Sequence, residues 1–311
     1  MVAVVVFEFS VMRCQPLRRA LGLQEKNLDA KTTYNRLPYG NEIPEQEFLA
    51  RISTLLQDLS ELISVELLKG GKVTSRNPIE KNLAEILEFH HNQNYYNRDF
   101  ELKRLFTLMT DLKSIRDNSE QNFSQFKKQL RNCNRVSQYV GIRFEISLAG
   151  FFIRKGVSYI NRESPDFEFS FGENQKAYIE TTSCHIVQEK PQNLYLKVNS
   201  AILTKSGKKY ANDSTILVID VTNLVHNSVR LHPEFKIENL VANCQSEMDK
   251  SPYGAFIFRC TFPNEEDGWI YSGGDSYCKE IASPSLLKIW SLLGYEERVP
   301  RDVEHGTYFC S

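Results

Sequence analysis

The stretch that decides the fold is residues 164–183, which read SPDFEFSFGENQKAYIETTS. Two runs with strand-like alternation, residues 166–171 and 176–182, flank Gly172-Glu173-Asn174, a tripeptide typical of a turn. Both runs carry carboxylates where a sheet usually has β-branched or aromatic residues. The position of these acidic residues therefore calls for an explanation.

Side chains alternate along a strand, so the position of each carboxylate can be predicted. Asp166 points to the face opposite Phe167, and Glu180 shares a face with Thr182. If the two runs pair as a hairpin around residues 172–174, Asp166 lies opposite the end of the second run, near Glu180. The pattern predicts that two carboxylates converge at one end of a sheet.

Two neighbouring carboxylates repel each other, and the pair usually needs a cation or a shared proton. A hard divalent cation such as Mg²⁺ takes oxygen ligands from one or two carboxylates and leaves positions for water and substrate phosphate. Such an ion lowers the pKa of a bound water and stabilises charge on a scissile phosphate. The pattern thus indicates Mg²⁺, with Mn²⁺ as a substitute.

The N-terminal part of the chain has the helical period. Residues 41–131 are predicted to form a helical domain, and the sequence allows that the preceding segment, residues 1–40, is poorly ordered. The apolar positions form three stripes: Ile52, Leu55, Leu56, Leu59, Leu62 and Ile63; Ile79, Leu83, Ile86 and Leu87; and Leu102, Leu105, Phe106, Met109 and Leu112.

The pattern changes after about residue 131, where an α/β domain, residues 132–311, is predicted to begin. Helices alternate with short strands in the order α-β-β-β-α-β-α-β, which favours a mixed sheet flanked by helices. The predicted helices are 137–155, 194–205 and 234–248, and the predicted strands are 157–160, 166–171, 176–182, 216–221 and 255–260. Gly273-Gly274 is interpreted as part of a late loop.

These residues carry a resemblance to a known family. Pro165-Asp166, thirteen residues (167–179) and then Glu180-Thr181-Thr182 resemble the signature of the PD-(D/E)XK nuclease superfamily. The resemblance covers about residues 132–224, including the α-β-β-β-α-β order, and implies a restriction-endonuclease-like fold. It implies Asp166 and Glu180 as catalytic metal ligands, Glu145 on the preceding helix as an accessory ligand, and Thr181 as a further ligand.

One position departs from the signature, because Thr182 stands where the family has a lysine. A lysine there orients the attacking water or stabilises developing charge, which a neutral hydroxyl replaces only in part. In this superfamily the lysine can come from the following helix. Lys205 lies seven residues beyond Val198, on the helix face that covers the sheet, and is the first candidate; Lys197 and Lys209 are weaker ones.

The leading functional hypothesis is a metal-dependent endonuclease acting on DNA, with RNA left open as a substrate. Its helical unit would bind DNA, gate the site, or pair with a second protomer or a partner protein. An alternative is a catalytically inactive nuclease-like module that binds nucleic acid or a protein. A third hypothesis is a hydrolase that uses Asp166 and Glu180 as acid and base on a sugar, without a metal.

Bulk composition is that of a globular protein, with 41% hydrophobic and 25% charged residues. The net charge of -1 neither supports nor excludes a nucleic-acid partner. Seven cysteines without a CxxC pair suit reduced thiols in the cytoplasm. The apolar residues 2–7 are too few to span a bilayer, so no membrane partner is expected; a short strand and a segment upstream of a start at Met12 both remain open.

Overall fold

The computed structural model describes residues 43–67, 77–173, 175–186, 193–231, 235–263 and 270–295. The predicted N-terminal segment, residues 1–40, lies outside these ranges. Within them, no helix combines the length and the apolar character that crossing a membrane requires.

The first part of the structure is helical, as the three apolar stripes predict. Its helices are α1 (Glu45–Ile63), α2 (Pro78–His91), α3 (Tyr95–Asn118), α4 (Glu120–Asn132) and α5 (Val136–Arg154). Side-chain caps set two of the boundaries. The Asn77 side chain accepts a hydrogen bond from the Ile79 amide at 2.8 Å and begins α2. The Ser119 hydroxyl accepts from the Asn122 amide at 3.3 Å and begins α4.

The second part contains a six-stranded sheet and further helices. Its strands are β1 (Ile160–Asn161), β2 (Phe167–Ser170), β3 (Lys176–Ser183), β4 (Thr215–Asp220), β5 (Ala255–Pro263) and β6 (Ile270–Cys278). Its helices are α6 (Leu194–Ser206), α7 (Thr222–Leu231), a 3-10 turn (Ile237–Asn239), α8 (Leu240–Lys250) and α9 (Pro284–Leu292).

The strands lie in the sheet in chain order, from β1 to β6. The pairs β1–β2, β2–β3 and β5–β6 are antiparallel, whereas β3–β4 and β4–β5 are parallel. Helical crossovers make the parallel pairs possible: α6 joins β3 to β4, while α7 and α8 join β4 to β5. The predicted fold class, an α/β mixed sheet flanked by helices after a helical region, is confirmed at this level.

Several predicted boundaries differ from the structure. The first strand is Ile160–Asn161 rather than 157–160. In place of one helix over 234–248, the described residues form a 3-10 turn (Ile237–Asn239) followed by α8. The interpretation of Gly273-Gly274 as a loop is wrong, since both glycines lie in β6. A Cβ at Gly274 would lie 1.8 Å from the carbonyl oxygen of Phe258, so this glycine permits the close approach of β5 to β6.

The core occupies both faces of the sheet. On one face, apolar residues of β2 to β5 pack in one cluster with α1 to α5 and α9. On the other face, a second cluster joins β4 and β5 to α6 and α8. All six residues of β4 are buried, as expected for a central parallel strand. The first cluster is continuous across residue 131, and the division into domains there stays a prediction.

The cysteines of the described residues are free thiols, in keeping with the expected reduced state. They are Cys133, Cys184, Cys244, Cys260 and Cys278. The remaining two, Cys14 and Cys310, lie outside the described residues.

Candidate active site

Asp166 lies directly before β2, where the β2–β3 hairpin opens. The Cα pairing of the two strands begins with Phe167 opposite Ile179. Beyond that pair, the backbone amide and the hydroxyl of Thr181 both donate hydrogen bonds to Asp166 Oδ2, each at 2.7 Å. The structure therefore places Asp166 against the residue that follows Glu180, as the hairpin argument predicted.

Glu180 lies on β3 and is only 2% exposed. Its two carboxylate oxygens have different surroundings. Oε1 forms an ion pair with Lys205 Nζ and accepts a hydrogen bond from the Tyr210 hydroxyl at 2.8 Å. Oε2 is buried and has no hydrogen-bond partner within the described part of the chain. One oxygen thus anchors the side chain, and the other is a buried acceptor that has no protein partner among the described residues.

Helix α6 brings Lys205 to this carboxylate. Val198 and Ile202 are fully buried on the sheet-facing side of the helix, and Lys205 follows them at helical spacing. The Tyr253 hydroxyl donates to the backbone oxygen of Lys205 at 3.2 Å, which ties the end of α6 to the neighbouring structure. Lys209 is exposed beyond the helix. The observed ion pair supports Lys205 as the lysine that contacts the site.

Glu145 on α5 joins this cluster electrostatically. Burial, together with the negative charges of Asp166 and Glu180, raises the pKa of Glu145 to about 8. Burial and then the charge of Glu180 raise the pKa of Asp166 to about 6, although the hydrogen bonds from Thr181 and the charge of Lys205 act in the opposite direction. The three carboxyl groups share one environment in which a proton or a cation is favourable.

The two threonines that follow Glu180 have different surroundings. The amide and hydroxyl of Thr181 are both used to hold Asp166, so Thr181 positions that carboxylate. Its direct role as a metal ligand stays a prediction. Thr182 is half-buried and, by strand alternation, lies on the same face as Glu180. Thr182 offers a neutral hydroxyl group at the position where the PD-(D/E)XK signature has the charged ammonium group of a lysine.

Two carboxylates of this site, those of Asp166 and Glu180, are the groups that could hold a hard cation. Within the described ranges, no three or more His, Cys, Asp or Glu side chains are grouped so that they could hold a metal ion. Mg²⁺ commonly uses only one or two carboxylates and fills its other positions with water and substrate oxygens. Asp166 and Glu180 are such a pair, and Glu145 interacts with both of them electrostatically.

Sequence reasoning missed Tyr210 as a partner of Glu180. The contact joins residues 30 positions apart, and Tyr210 lies beyond the end of α6, where the helical period no longer predicts its direction. Burial and the hydrogen bond to Glu180 raise the pKa of the Tyr210 hydroxyl, so it stays a donor to the carboxylate.

Comparison with protein-family models, with curated proteins and with solved structures found no match to this chain. The resemblance to the PD-(D/E)XK superfamily therefore rests on the motif and the element order.

Proposed function

We propose that the protein is a metal-dependent endonuclease with a restriction-endonuclease-like fold, which hydrolyses phosphodiester bonds of DNA with Mg²⁺ or Mn²⁺. The observation that carries this proposal is the convergence of Asp166 and Glu180 where the β2–β3 pairing ends, with the ammonium group of Lys205 on Glu180. A carboxylate pair and an adjacent cationic side chain are the groups that metal-assisted phosphodiester hydrolysis needs.

The carboxylates would hold the ion. Glu180 would bind it through the free Oε2, Asp166 through an oxygen left available by Thr181, and Glu145 directly or through water. When bound, such an ion lowers the pKa of a water and offsets negative charge on the phosphate. It would also relieve the mutual repulsion that raises the pKa of Glu145 and of Asp166.

The neighbouring side chains would position the nucleophile and the carboxylates. Lys205 supplies the positive charge that Thr182 lacks, and its ammonium group would orient the attacking water or stabilise charge on the phosphate. The hydroxyl of Thr182 would assist. Tyr210 keeps Glu180 Oε1 in place, so that Oε2 stays directed away from the ion pair.

The proposal extends to partners and location. Cutting both strands of a duplex needs two active sites, and the helical region α1–α4 is the candidate surface for a homodimer or a partner protein. A DNA substrate and the reduced thiols together suit a cytoplasmic protein.

The test is cleavage of plasmid and single-stranded DNA in Mg²⁺, Mn²⁺ or chelator. Asp166→Asn and Glu180→Gln are each expected to lower the rate by at least about a hundredfold, since both remove a charged ligand. The matched control is Glu168→Gln. Glu168 is a buried carboxylate on β2 that forms ion pairs with Arg162 and Lys176 and does not contact the site residues. Equal rates for wild type, Asp166→Asn and Glu180→Gln would refute the proposal.

One observation favours the inactive binding module as a second candidate. Lys205 forms an ion pair with Glu180, the carboxylate that would hold the ion, and Thr182 stands in place of the family's usual lysine. Isothermal titration separates the two functions: DNA binding without affinity for Mg²⁺ or Mn²⁺ would favour the module. Full hydrolytic activity in chelator would instead favour a metal-free acid and base pair, for which the raised pKa of Asp166 is suited.

A further inference from the structure

A second polar cleft lies between α3 and α5, at the carboxyl end of β4. Its charged and hydroxyl-bearing lining residues include Arg104, Asp111, Arg143, Ser147, Asp220 and Thr222. Arg143 and Ser147 are four residues apart and share one side of α5, whereas Glu145, midway between them, points about 200° away. The cleft and the carboxylate site therefore lie on different sides of α5.

Two guanidinium groups meet in this cleft. Arg104 Nη1 donates to Glu101 Oε1 at 2.8 Å, and Arg143 Nη1 donates to Glu101 Oε2 at 3.2 Å. These bonds use one nitrogen of each guanidinium, which carries five N–H donors in total. Burial and the charge of Arg143 lower the pKa of Arg104. Guanidinium N–H groups that Glu101 does not use are donors of the type that bind an oxyanion.

Two acidic residues, Asp111 and Asp220, line the cleft, and Asp111 Oδ2 is buried without a hydrogen-bond partner among the described residues. Asp111 accepts from Arg154 Nη1 at 2.5 Å. Asp220 accepts from the Thr222 amide at 2.9 Å and from the Ser183 hydroxyl at 3.4 Å. Arg154 offsets the charge of Asp111, whereas the charge of Asp220 acts on Arg104 and Arg143 themselves. A ligand would therefore use the guanidinium N–H groups that Glu101 does not bind. Burial also raises the pKa of Asp111 to about 6, so this group can take up a proton when an anion enters.

The size of the cleft limits the ligand. Its volume is about 40 Å³. A cavity needs about 10–15 Å³ of such volume for each water, so the cleft holds about three waters, or one tetrahedral oxyanion in their place. A larger molecule could place one such group inside and keep the rest of its atoms outside.

We propose that this cleft binds a single phosphate group through Arg104 and Arg143, with the hydroxyls of Ser147 and Thr222 as further hydrogen-bonding groups. The proposal goes beyond the nuclease function, and it does not require that the carboxylate site cut DNA. The ligand is either a phosphate group of a nucleic acid or free inorganic phosphate, because both present a tetrahedral oxyanion.

The experiment titrates inorganic phosphate into the full chain and follows the heat of binding. Ser147→Asp introduces a carboxylate at the half-buried edge of the cleft, where it competes with phosphate for the arginines while leaving both arginines and Glu101 intact. Ser147→Asn has nearly the same shape without the charge. We expect Ser147→Asp to weaken phosphate binding at least about tenfold, and Ser147→Asn to bind like wild type.

A second variant guards against a folding artefact. Arg143→Lys keeps the positive charge beside Glu101 but removes the fork, and it should also weaken phosphate binding. Competition then identifies the source of the phosphate. Displacement of inorganic phosphate by an oligonucleotide, with or without a 5′-phosphate, indicates a nucleic acid. Displacement by neither oligonucleotide indicates free inorganic phosphate. No phosphate binding by wild type, or equal binding by wild type and Ser147→Asp, would overturn the proposal whether or not the protein cuts DNA.

Discussion

Replacing Lys205 by methionine tests the electrostatic account of the site. The change keeps an unbranched apolar stem in α6 and removes only the ammonium group. Glu180, whose side chain is 3% exposed, then loses its ion-pair partner and keeps Asp166 and Glu145 as acidic neighbours. We expect Lys205→Met to lower the free energy of unfolding substantially.

The magnitude follows from the burial of the two partners. Removing one partner of a fully buried ion pair costs about 3–5 kcal/mol, because the other charge stays in a poorly solvated place. The Lys205 side chain is 23% exposed, so water can partly replace it. A loss of about 3 kcal/mol is therefore expected for Lys205→Met, at the low end of that range. Glu180→Gln in the same chain should recover about 2 kcal/mol of it, since no buried charge remains.

Urea denaturation at pH 8 measures these values, with the fluorescence of the buried Trp290 as one reporter. Lys176→Met is the matched control. Lys176 Nζ lies 2.8 Å from the buried Glu168, but its side chain is 43% exposed and Arg162 pairs with the same carboxylate, so its loss should cost less than about 1 kcal/mol. A loss below about 0.5 kcal/mol for Lys205→Met, or no coupling in the double variant, would refute the reasoning.

Further variants in α5 test its acidic residue and its glycines. The pKa of Glu145 is raised from 4.5 to about 8, so its stabilising contribution is complete at low pH and is lost as pH rises through that interval. Urea titrations from pH 5 to pH 9 should show a smaller decline in the free energy of unfolding for Glu145→Gln than for wild type. The same decline in both proteins would contradict the raised pKa of Glu145. A Cβ at Gly150 would lie 2.2 Å from Asp111 Oδ1, so Gly150→Ala should cost about 2 kcal/mol. At Gly141, where a Cβ meets nothing within 4 Å, alanine should stabilise the protein by about 0.5–1 kcal/mol. A thermal unfolding experiment in which Gly150→Ala is more stable than Gly141→Ala would contradict this steric explanation.

Local patterns were enough to predict most of the elements. The apolar stripes of α1 to α3 follow the helical period of 3.6 residues, and residues 166–171 and 176–182 follow the strand period of 2.0. Both periods can be read directly from the sequence. The pairing of β2 with β3 followed from the short turn between them. Strand β6 was missed because Gly273-Gly274 usually interrupts a strand, and only its close packing on β5 explains the glycines.

The approach of Asp166 to β3 was within reach of sequence reasoning because a hairpin joins residues that are close along the chain. Lys205 was named as a candidate because helical spacing from Val198 fixes its side of α6. Its contact with Glu180 depends on how α6 packs across the sheet, which spacing alone does not give.

The sequence by itself determined the acidic hairpin, the order of helices and strands from α5 to β4, and the threonine in place of lysine at position 182, since each depends on neighbouring residues or simple periodicity. Only the tertiary structure decided that Tyr210 and Lys205 share one oxygen of Glu180 and leave the other free. It also decided that Arg104 and Arg143 meet in one cleft. These arrangements join residues far apart in the chain, and their energies come from burial and charge that exist only after the helices and the sheet have packed together.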